Sequence, residues 1–453
     1  MSQSIPQRAA VVGAGPSGFY ACGMLLDAGF EVDLFDALPT PYGLVRAGVA
    51  PDHPKIKTVT RVFDKTAARE GFRFLGGVEL GRDVTREDLV ARYDVVLYAM
   101  GTSRDRRLGI PGEDLVGSHA ATDFVAWYNG HPHHATRDYD LNCDRAVVVG
   151  NGNVAIDVAR MLALDPGELA VTDTADHAIG GLQASGVREA LILGRRGPAQ
   201  AAFTNPELRE LGELARADVI VDPEDVDLDA ASAAWLESDA AGATARRNVE
   251  ILRGYAAREP RGLSHRVALR FLRSPLEILG DGRVKAIRVA VNRIEDDGEG
   301  NLRAVPTGVQ ETIPCGLVIR SIGYLGEPIA GIPFDERRAL IRNAGGRVLG
   351  DDGEPCPGEY AAGWIKRGPS GVIGTNKKDA ADTVARVVED RDAGLLPAPT
   401  VALGDDWPHE QVTDWTGWQR IDRHEVGLGE PQGRPRVKVV DLDTLHEVGR
   451  GDD

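Results

Sequence analysis

Short apolar runs of strand length recur along this chain, and at two places such a run passes through a glycine loop into a stretch of helical spacing. The first place is the run 8–14, which leads through Gly13-Ala14-Gly15-Pro16-Ser17-Gly18 into a helix over 18–26. The second is 146–149, which feeds Gly150-Asn151-Gly152-Asn153-Val154-Ala155 and a helix over 155–163. This strand, loop and helix order places backbone N–H groups and a helix N-terminus around a pyrophosphate. A lone GxGxxG carries little weight in a chain with 54 glycines. Two copies, each followed by a further strand with a chemically distinct end, carry much more.

Those ends point to different nucleotides. Glu31–Asp36 finishes in a carboxylate about 20 residues after its loop, the spacing for hydrogen bonds to a ribose 2′-hydroxyl. The run 190–193 leads instead to Arg195 and Arg196. A carboxylate repels a 2′-phosphate, whereas paired guanidiniums bind it with charge-assisted bonds. The first site is therefore expected to take FAD or NAD and the second NADPH, which makes the chain an oxidoreductase with two cofactors; the other reading of Arg195 and Arg196 is a solvated strand end.

Further apolar runs suggest how the units are ordered. One at 94–101 ends in Gly101-Thr102, and a similar one at 317–323 ends in Gly323. The pattern returns at 359–364, with a helix over 377–391. The expected fold is α/β, with two Rossmann-like domains: an FAD domain in two parts, 1–104 and 325–453, split by an inserted NADPH domain at 105–324. A polar, alanine-rich insertion at 222–245 reads as an exposed helix pair or as a loop. The tail beyond 399, with Trp407, Trp415, Trp418 and the run 436–441, carries no chemistry of its own and is expected to pack on the FAD domain.

Length and composition narrow the classes. At 453 residues the chain suits two or three domains. Cys22, Cys143, Cys315 and Cys356 are scattered without CxxC spacing, which argues against structural disulfides, zinc, an iron–sulfur cluster in this chain or a redox dithiol, and no metal is expected. Flavoprotein disulfide reductases need the dithiol, and the small subunits of glutamate synthase need the clusters. A net charge of −17 argues against nucleic acid or an anionic membrane as partner. No apolar run approaches the roughly 20 residues of a membrane span, and glycines interrupt the N-terminal run, so a cytoplasmic protein is expected.

Three strings make the pattern specific: Pro41–His53 (PYGLVRAGVAPDH), Gly194–Thr204 (GRRGPAQAAFT) and Gly363–Lys377 (GWIKRGPSGVIGTNK). Together they closely resemble the adrenodoxin-reductase-like NADPH–ferredoxin reductases, especially the actinobacterial ones. The resemblance runs from Val11 to Lys378 and reappears at Gly433–Lys438. It implies FAD on Gly13, Ala14, Gly15, Pro16, Ser17 and Asp36, with Asp36 a methylene shorter than the glutamate expected there. It implies Leu44 along the flavin, Val84 as a backbone contact to the adenine, and Trp364, Gly371, Val372 and Ile373 at the isoalloxazine edge. Other two-dinucleotide flavoproteins have an aspartate at the position of Trp364. For NADPH the resemblance implies Asn151, Gly152, Asn153 and Val154 at the pyrophosphate, Arg195 and Arg196 at the 2′-phosphate, and Arg106, Glu207 and Gly371 as further contacts. His53 and Glu210 match residues associated with proton handling as reduced flavin gives up electrons singly; taken alone they read as a loop histidine and an exposed helix residue.

The implied partner is a ferredoxin docking transiently on a monomer. Ferredoxins are typically acidic, so an acidic reductase needs a local basic patch; Arg246, Arg247, Lys366, Arg367, Lys377 and Lys378 are the candidates. Two other classes fit the loops: an NADPH-dependent flavin monooxygenase, and a redox sensor that holds both cofactors without turnover.

Overall fold

The computed structural model describes residues 6–451 apart from 299, 372, 405–406 and 409–411. The chain forms two compact units: Asp105–Tyr128 with His133–Gly323 is one, and everything up to Arg104, Asn129–Pro132 and everything from Tyr324 onward is the other. The fold is α/β, with a second Rossmann-like unit inserted into the first.

The first unit is built on a seven-stranded sheet, in spatial order 343–344, 347–349, 355–361, 95–98, 8–12, 31–36 and 72–76. Its last five strands are parallel. Arg8–Val12 lies between Glu31–Asp36 and Val95–Tyr98, so the strand order reverses at its carboxyl end. That reversal opens the crevice where doubly wound sheets bind ligands. The helix Pro16–Asp27 covers the sheet by burying Phe19, Cys22 and Leu25 against Val11, Val32 and Leu34. Its partner is Ile373–Asp392, which starts four residues before the expected run.

The second unit repeats the plan with six parallel strands, in the order 118–120, 317–320, 145–149, 189–193, 265–270 and 217–221. Arg145–Val149 is again the strand at the reversal. A three-stranded antiparallel sheet, Arg273–Asp281, Arg283–Asp296 and Leu302–Pro314, adds Ile278, Ile287, Val289 and Ile313 to this unit's core. The insertion forms helices, Ala230–Glu237 and Ala243–Ala256. Asp229 caps the first of them by accepting from the Ser232 N–H at 2.8 Å, and Leu236, Ala241 and Val249 pack together.

The tail packs on the first unit. Gly76 and Thr413 exchange two backbone hydrogen bonds of 2.9 Å, and the helices Trp415–Gly429 and Leu442–Arg450 bury Trp418, Ile421, Leu445 and Val448 in the main core. Lys438 joins distant segments by donating to the carbonyls of Arg46 (3.1 Å) and Asn129 (3.0 Å). The second of these bonds tethers Asn129–Pro132 to the first unit. All four cysteines are free. Among the described residues no helix is long and apolar enough to cross a membrane.

Candidate dinucleotide sites

The first glycine loop is shaped by close approach. Gly13 has φ +106°, and a Cβ there would lie 2.7 Å from the backbone of Ala99 and Met100, the residues leaving the neighbouring strand. At Gly18 a Cβ would stand 1.9 Å from the Gly13 carbonyl, whereas Gly15 faces open space. The helix starts with Pro16, and no side chain caps it and no acid sits in its first turn. Its N-terminal amides and dipole can therefore meet an anion in front of Gly15. The Pro41–Arg46 segment closes on the same loop, because the Tyr42 N–H donates to the Ala14 carbonyl at 2.8 Å.

Asp36 does more than end its strand. Oδ2 accepts from the Ala14 N–H at 2.7 Å and Oδ1 from the Leu38 N–H at 3.0 Å, so the carboxylate clasps the glycine loop to the segment after the strand. Burial outweighs these two bonds and pushes its pKa up to about 6. Asp36 also edges a cavity of about 500 Å³ whose walls include Val12, Gly13, Val78, Met100 and Ile365. Val84 does not reach this cavity: it is buried among apolar side chains, and its N–H and C=O bond to Glu79 (3.4 Å) and Gly81 (2.7 Å). Val78, Glu79 and Leu80 stand at the wall instead.

Trp364 opens the short helix Trp364–Arg367 behind Gly363, whose φ is +77° and where a Cβ would fall 2.4 Å from Ser17 Oγ. The Gly363 N–H is pinned at 2.5 Å by Oδ2 of the buried Asp379, whose other oxygen pairs with Lys366 at 2.9 Å. Among the described residues Trp364 Nε1 is buried without a hydrogen-bond partner, and so is Thr102 Oγ1, beside cavity-lining Gly101 and Ser103. Unsatisfied buried donors of this kind suit a polar ligand edge. Gly371, at φ +80°, is exposed and Ile373 half-buried, while Val372 lies outside the described residues. Leu44 is 40% exposed at the start of Leu44–Ala47. His53 immediately precedes Pro54–Lys57 and donates its N–H to the Ala50 carbonyl at 3.0 Å.

The second loop has the same construction. Gly150 has φ +138°, and a Cβ would meet the Ser321 carbonyl oxygen at 2.0 Å. Gly152 precedes the helix Asn153–Ala163, which again has no side-chain cap, and Val154 is half-buried in its first turn. The following Gly194–Thr204 segment is tied back to the loop by Ala202 N–H to the Asn151 carbonyl (2.9 Å) and Thr204 N–H to Asn153 Oδ1 (2.8 Å). Arg195 and Arg196 stand exposed at the strand end, and among the described residues neither forms an ion pair. Their backbone is fixed: the Arg195 carbonyl accepts from Asn292 Nδ2 (2.9 Å) and the Arg196 carbonyl from the Leu272 N–H (3.1 Å). Two unspent guanidiniums on a fixed backbone fit a 2′-phosphate. Arg106 is likewise exposed, its N–H bonded to the Gly323 carbonyl at 3.1 Å.

Glu207 and Glu210 share the helix Asn205–Leu211 and face Arg160, which is 3% exposed as a side chain. Glu210 Oε2 lies 2.5 Å from Arg160 Nη1 and Glu207 Oε2 lies 3.9 Å from it. Glu210 is thus a half-buried ion-pair partner, and it belongs to the second unit whereas His53 belongs to the first.

Most of the basic candidates for docking have other partners. Arg246 donates to the carbonyls of Leu236 and Ser238, both at 2.7 Å, and so caps the C-terminal end of the helix before it. Arg247 pairs with Glu250, Lys378 with Asp382, and Arg367 with the carbonyl of Ser370 and with Asn376. Lys377 is exposed, and among the described residues its side chain forms no ion pair or hydrogen bond.

Sequence reasoning missed Asp379, which pins Gly363, and Glu425. Glu425 is fully buried and receives both Arg46 nitrogens (2.8 and 2.5 Å), Arg436 Nη1 (3.1 Å) and the Val439 N–H (2.9 Å). It thereby anchors the segment that carries Leu44, from 379 positions away.

Two Rossmann-like units, each with a glycine loop at its strand reversal, define an FAD-dependent pyridine-nucleotide oxidoreductase. No family model matches the chain. It is 48% identical, over 98% of its own length and the whole of the relative, to the NADPH-ferredoxin reductase FprA of Mycobacterium tuberculosis. It is 41% identical, over 98% of its length and 91% of the relative, to the mitochondrial NADPH:adrenodoxin oxidoreductase of Salvelinus fontinalis. The solved structure of M. tuberculosis FprA in complex with NADPH superposes with a TM-score of 0.93 at 48% identity, covering 99% of this chain and 100% of that one. The chain belongs to the NADPH–ferredoxin reductase family.

Proposed function

We propose that this protein transfers electrons between NADPH and a ferredoxin-type iron–sulfur protein through FAD, as a cytoplasmic monomer that its partner meets transiently. The contrast between two similar loops carries this reading: one is closed by the Asp36 carboxylate, the other flanked by the exposed Arg195 and Arg196. FAD, when bound, accepts hydride from the nicotinamide and releases electrons one at a time. The chain's own residues bind and orient. Gly13, Ala14, Gly15, Pro16 and Ser17 present the helix N-terminus to the FAD pyrophosphate, and Asp36 accepts from the ribose. Trp364, Gly371, Ile373 and Leu44 border the flavin, and Val84 is assigned to the adenine end by the family resemblance. Asn151, Gly152, Asn153 and Val154 receive the NADPH pyrophosphate, Arg195, Arg196 and Arg106 the phosphate-bearing end, with Glu207 and Gly371 as further contacts. FAD is assigned to the unit that contains 1–104 and 325–453, and NADPH to the unit that contains most of 105–324. The purified protein should be yellow, and anaerobic NADPH should bleach it far faster than NADH; a colourless protein that binds no FAD contradicts the reading.

His53 and Glu210 are assigned to proton handling on their match to the family's strings. His53→Ala is expected to keep FAD but to slow flavin reduction or onward transfer by about 10- to 1000-fold, the range for a lost positioning or proton-handling group. Stopped-flow traces and ferredoxin turnover equal to wild type would make His53 structural.

Asp36 makes FAD binding depend on pH. A ribose hydroxyl donated to the carboxylate favours its charged form, so FAD binding drives off the proton that the apoprotein holds below about pH 6. Affinity for FAD should therefore be flat above that pH and fall by up to about tenfold per unit below it. Asp36→Asn should remove this dependence in fluorescence titrations of the apoprotein, and an unchanged profile would place the ribose elsewhere.

A further inference from the structure

The surface that follows His53 is cationic in an otherwise acidic chain. From Pro54 to Lys65 stand Lys55, Lys57, Arg61 and Lys65 against one carboxylate, Asp64, which already accepts from the Tyr42 hydroxyl. The helix Thr60–Ala67 buries Phe63 and Ala67, and this leaves Arg61, Val62 and Lys65 on its outer side at helical spacing. Lys55, Arg61 and Lys65 are exposed, and among the described residues their side chains form no ion pair or hydrogen bond.

Apolar side chains sit among these cations. Ile56 is 41% and Val62 49% exposed, and Leu44, 40% exposed, lies on a helix that packs against Pro54–Lys57. These are three of the nine exposed large apolar side chains among the described residues, gathered within 19 positions. An apolar centre ringed by unpaired charge is the anatomy of a protein interface. The Arg246 and Arg247 side chains, by contrast, are already engaged.

We propose that Lys55, Ile56, Arg61, Val62 and Lys65 form the docking surface for a small electron-carrier protein with a carboxylate-rich face. The occupant follows from charge: with −17 overall, the chain repels an extended polyanion, whereas a compact carrier can set one acidic patch against these cations. Its place follows from the chain, since the surface begins two residues after His53 and adjoins the helix bearing Leu44. The proposal rests on the ferredoxin reading above and fixes where that partner sits.

The test uses the FAD-loaded enzyme with Lys55, Arg61 and Lys65 all changed to Glu. The probe is an acidic [2Fe–2S] ferredoxin, with calorimetric binding to the oxidised enzyme and ferredoxin-dependent cytochrome c reduction as readouts. At low salt the Kd and the ferredoxin KM should each rise tenfold or more, and the steep rise of both with salt seen in the wild type should flatten, because rim charges steer association and are screened within about 10 Å at 0.1 M. NADPH-dependent reduction of menadione, small and neutral, should stay within twofold of wild type. A variant that binds ferredoxin as wild type does, with an unchanged salt dependence, overturns the surface alone. So does wild-type retention on phosphatidylserine vesicles that the variant loses while its ferredoxin kinetics hold. A wild type that reduces menadione but neither binds nor reduces the ferredoxin overturns the functional reading and the surface with it.

Discussion

Changing Arg195 and Arg196 together to Gln should raise the KM for NADPH about a hundred- to a thousand-fold and leave the KM for NADH within a few fold. A charge-assisted bond is worth roughly 1.5–3 kcal/mol, and two such bonds on a solvent-facing phosphate fall toward the lower end of their sum. The structure makes the comparison clean. Both side chains are exposed and neither forms an ion pair among the described residues, so their loss leaves no buried charge behind. The carbonyls of Arg195 and Arg196 keep their bonds to Asn292 and Leu272, which holds the strand end in place. Steady-state kinetics with both nucleotides decide the matter, and an equal loss for NADPH and NADH would remove the 2′-phosphate assignment. Arg195→Lys with Arg196→Lys should recover part of the selectivity, since the charge remains but the planar fork does not.

The second large effect is expected at Glu425. Glu425→Ala removes the acceptor for Arg46, Arg436 and the Val439 N–H and leaves two guanidiniums without their buried partner. Breaking a buried pair in this way costs about 3–5 kcal/mol. Denaturant unfolding should register that loss, and because Arg46 lies two residues beyond Leu44, FAD should dissociate more readily as well. The pH dependence has a definite sign. Burial disfavours the Glu425 carboxylate, but Arg46 and Arg436 outweigh it and hold its pKa below the ordinary 4.5. Its contribution is therefore complete above pH 4.5 and is lost as pH falls through the lower folded value. The gap in stability between wild type and variant should be constant near neutrality and narrow in acid. A Glu425→Ala protein as stable as wild type, with FAD equally tight, would reduce the tail to a passive cover.

What the chain reveals before folding is whatever is local. The alternation of apolar run, glycine loop and helical stretch places both cradles, because each is contiguous in sequence and its glycines answer clashes with the next strand. The contrast between Asp36 and the Arg195–Arg196 pair is equally local. Asp36 shows the limit of such reading: the carboxylate lies where a ribose partner is expected, yet its bonds to Ala14 and Leu38, and the burial that raises its pKa, depend on how the strand end folds back.

Long-range features leave no such trace. The bond from Glu425 to Arg46 joins positions 379 apart, and nothing in the spacing of either residue announces it. Asp379 sits within a helix whose charged neighbours disguise it as surface, although it is buried against Gly363 and Lys366. Arg246 gives the opposite error, a cation that reads as a free docking group and instead caps a neighbouring helix. The antiparallel sheet from Arg273 to Pro314 carries no chemical motif, and only its packing shows it to be part of a core.

Passage of electrons from NADPH to an acidic iron–sulfur carrier is read out by cytochrome c reduction with the purified FAD-loaded enzyme, NADPH or NADH as donor, as an acidic ferredoxin is titrated in. The rate should rise with ferredoxin to saturation, fall steeply with salt, and be far higher with NADPH than with NADH at equal low concentration. NADPH consumption that ignores ferredoxin and depends on oxygen and an organic substrate would contradict it.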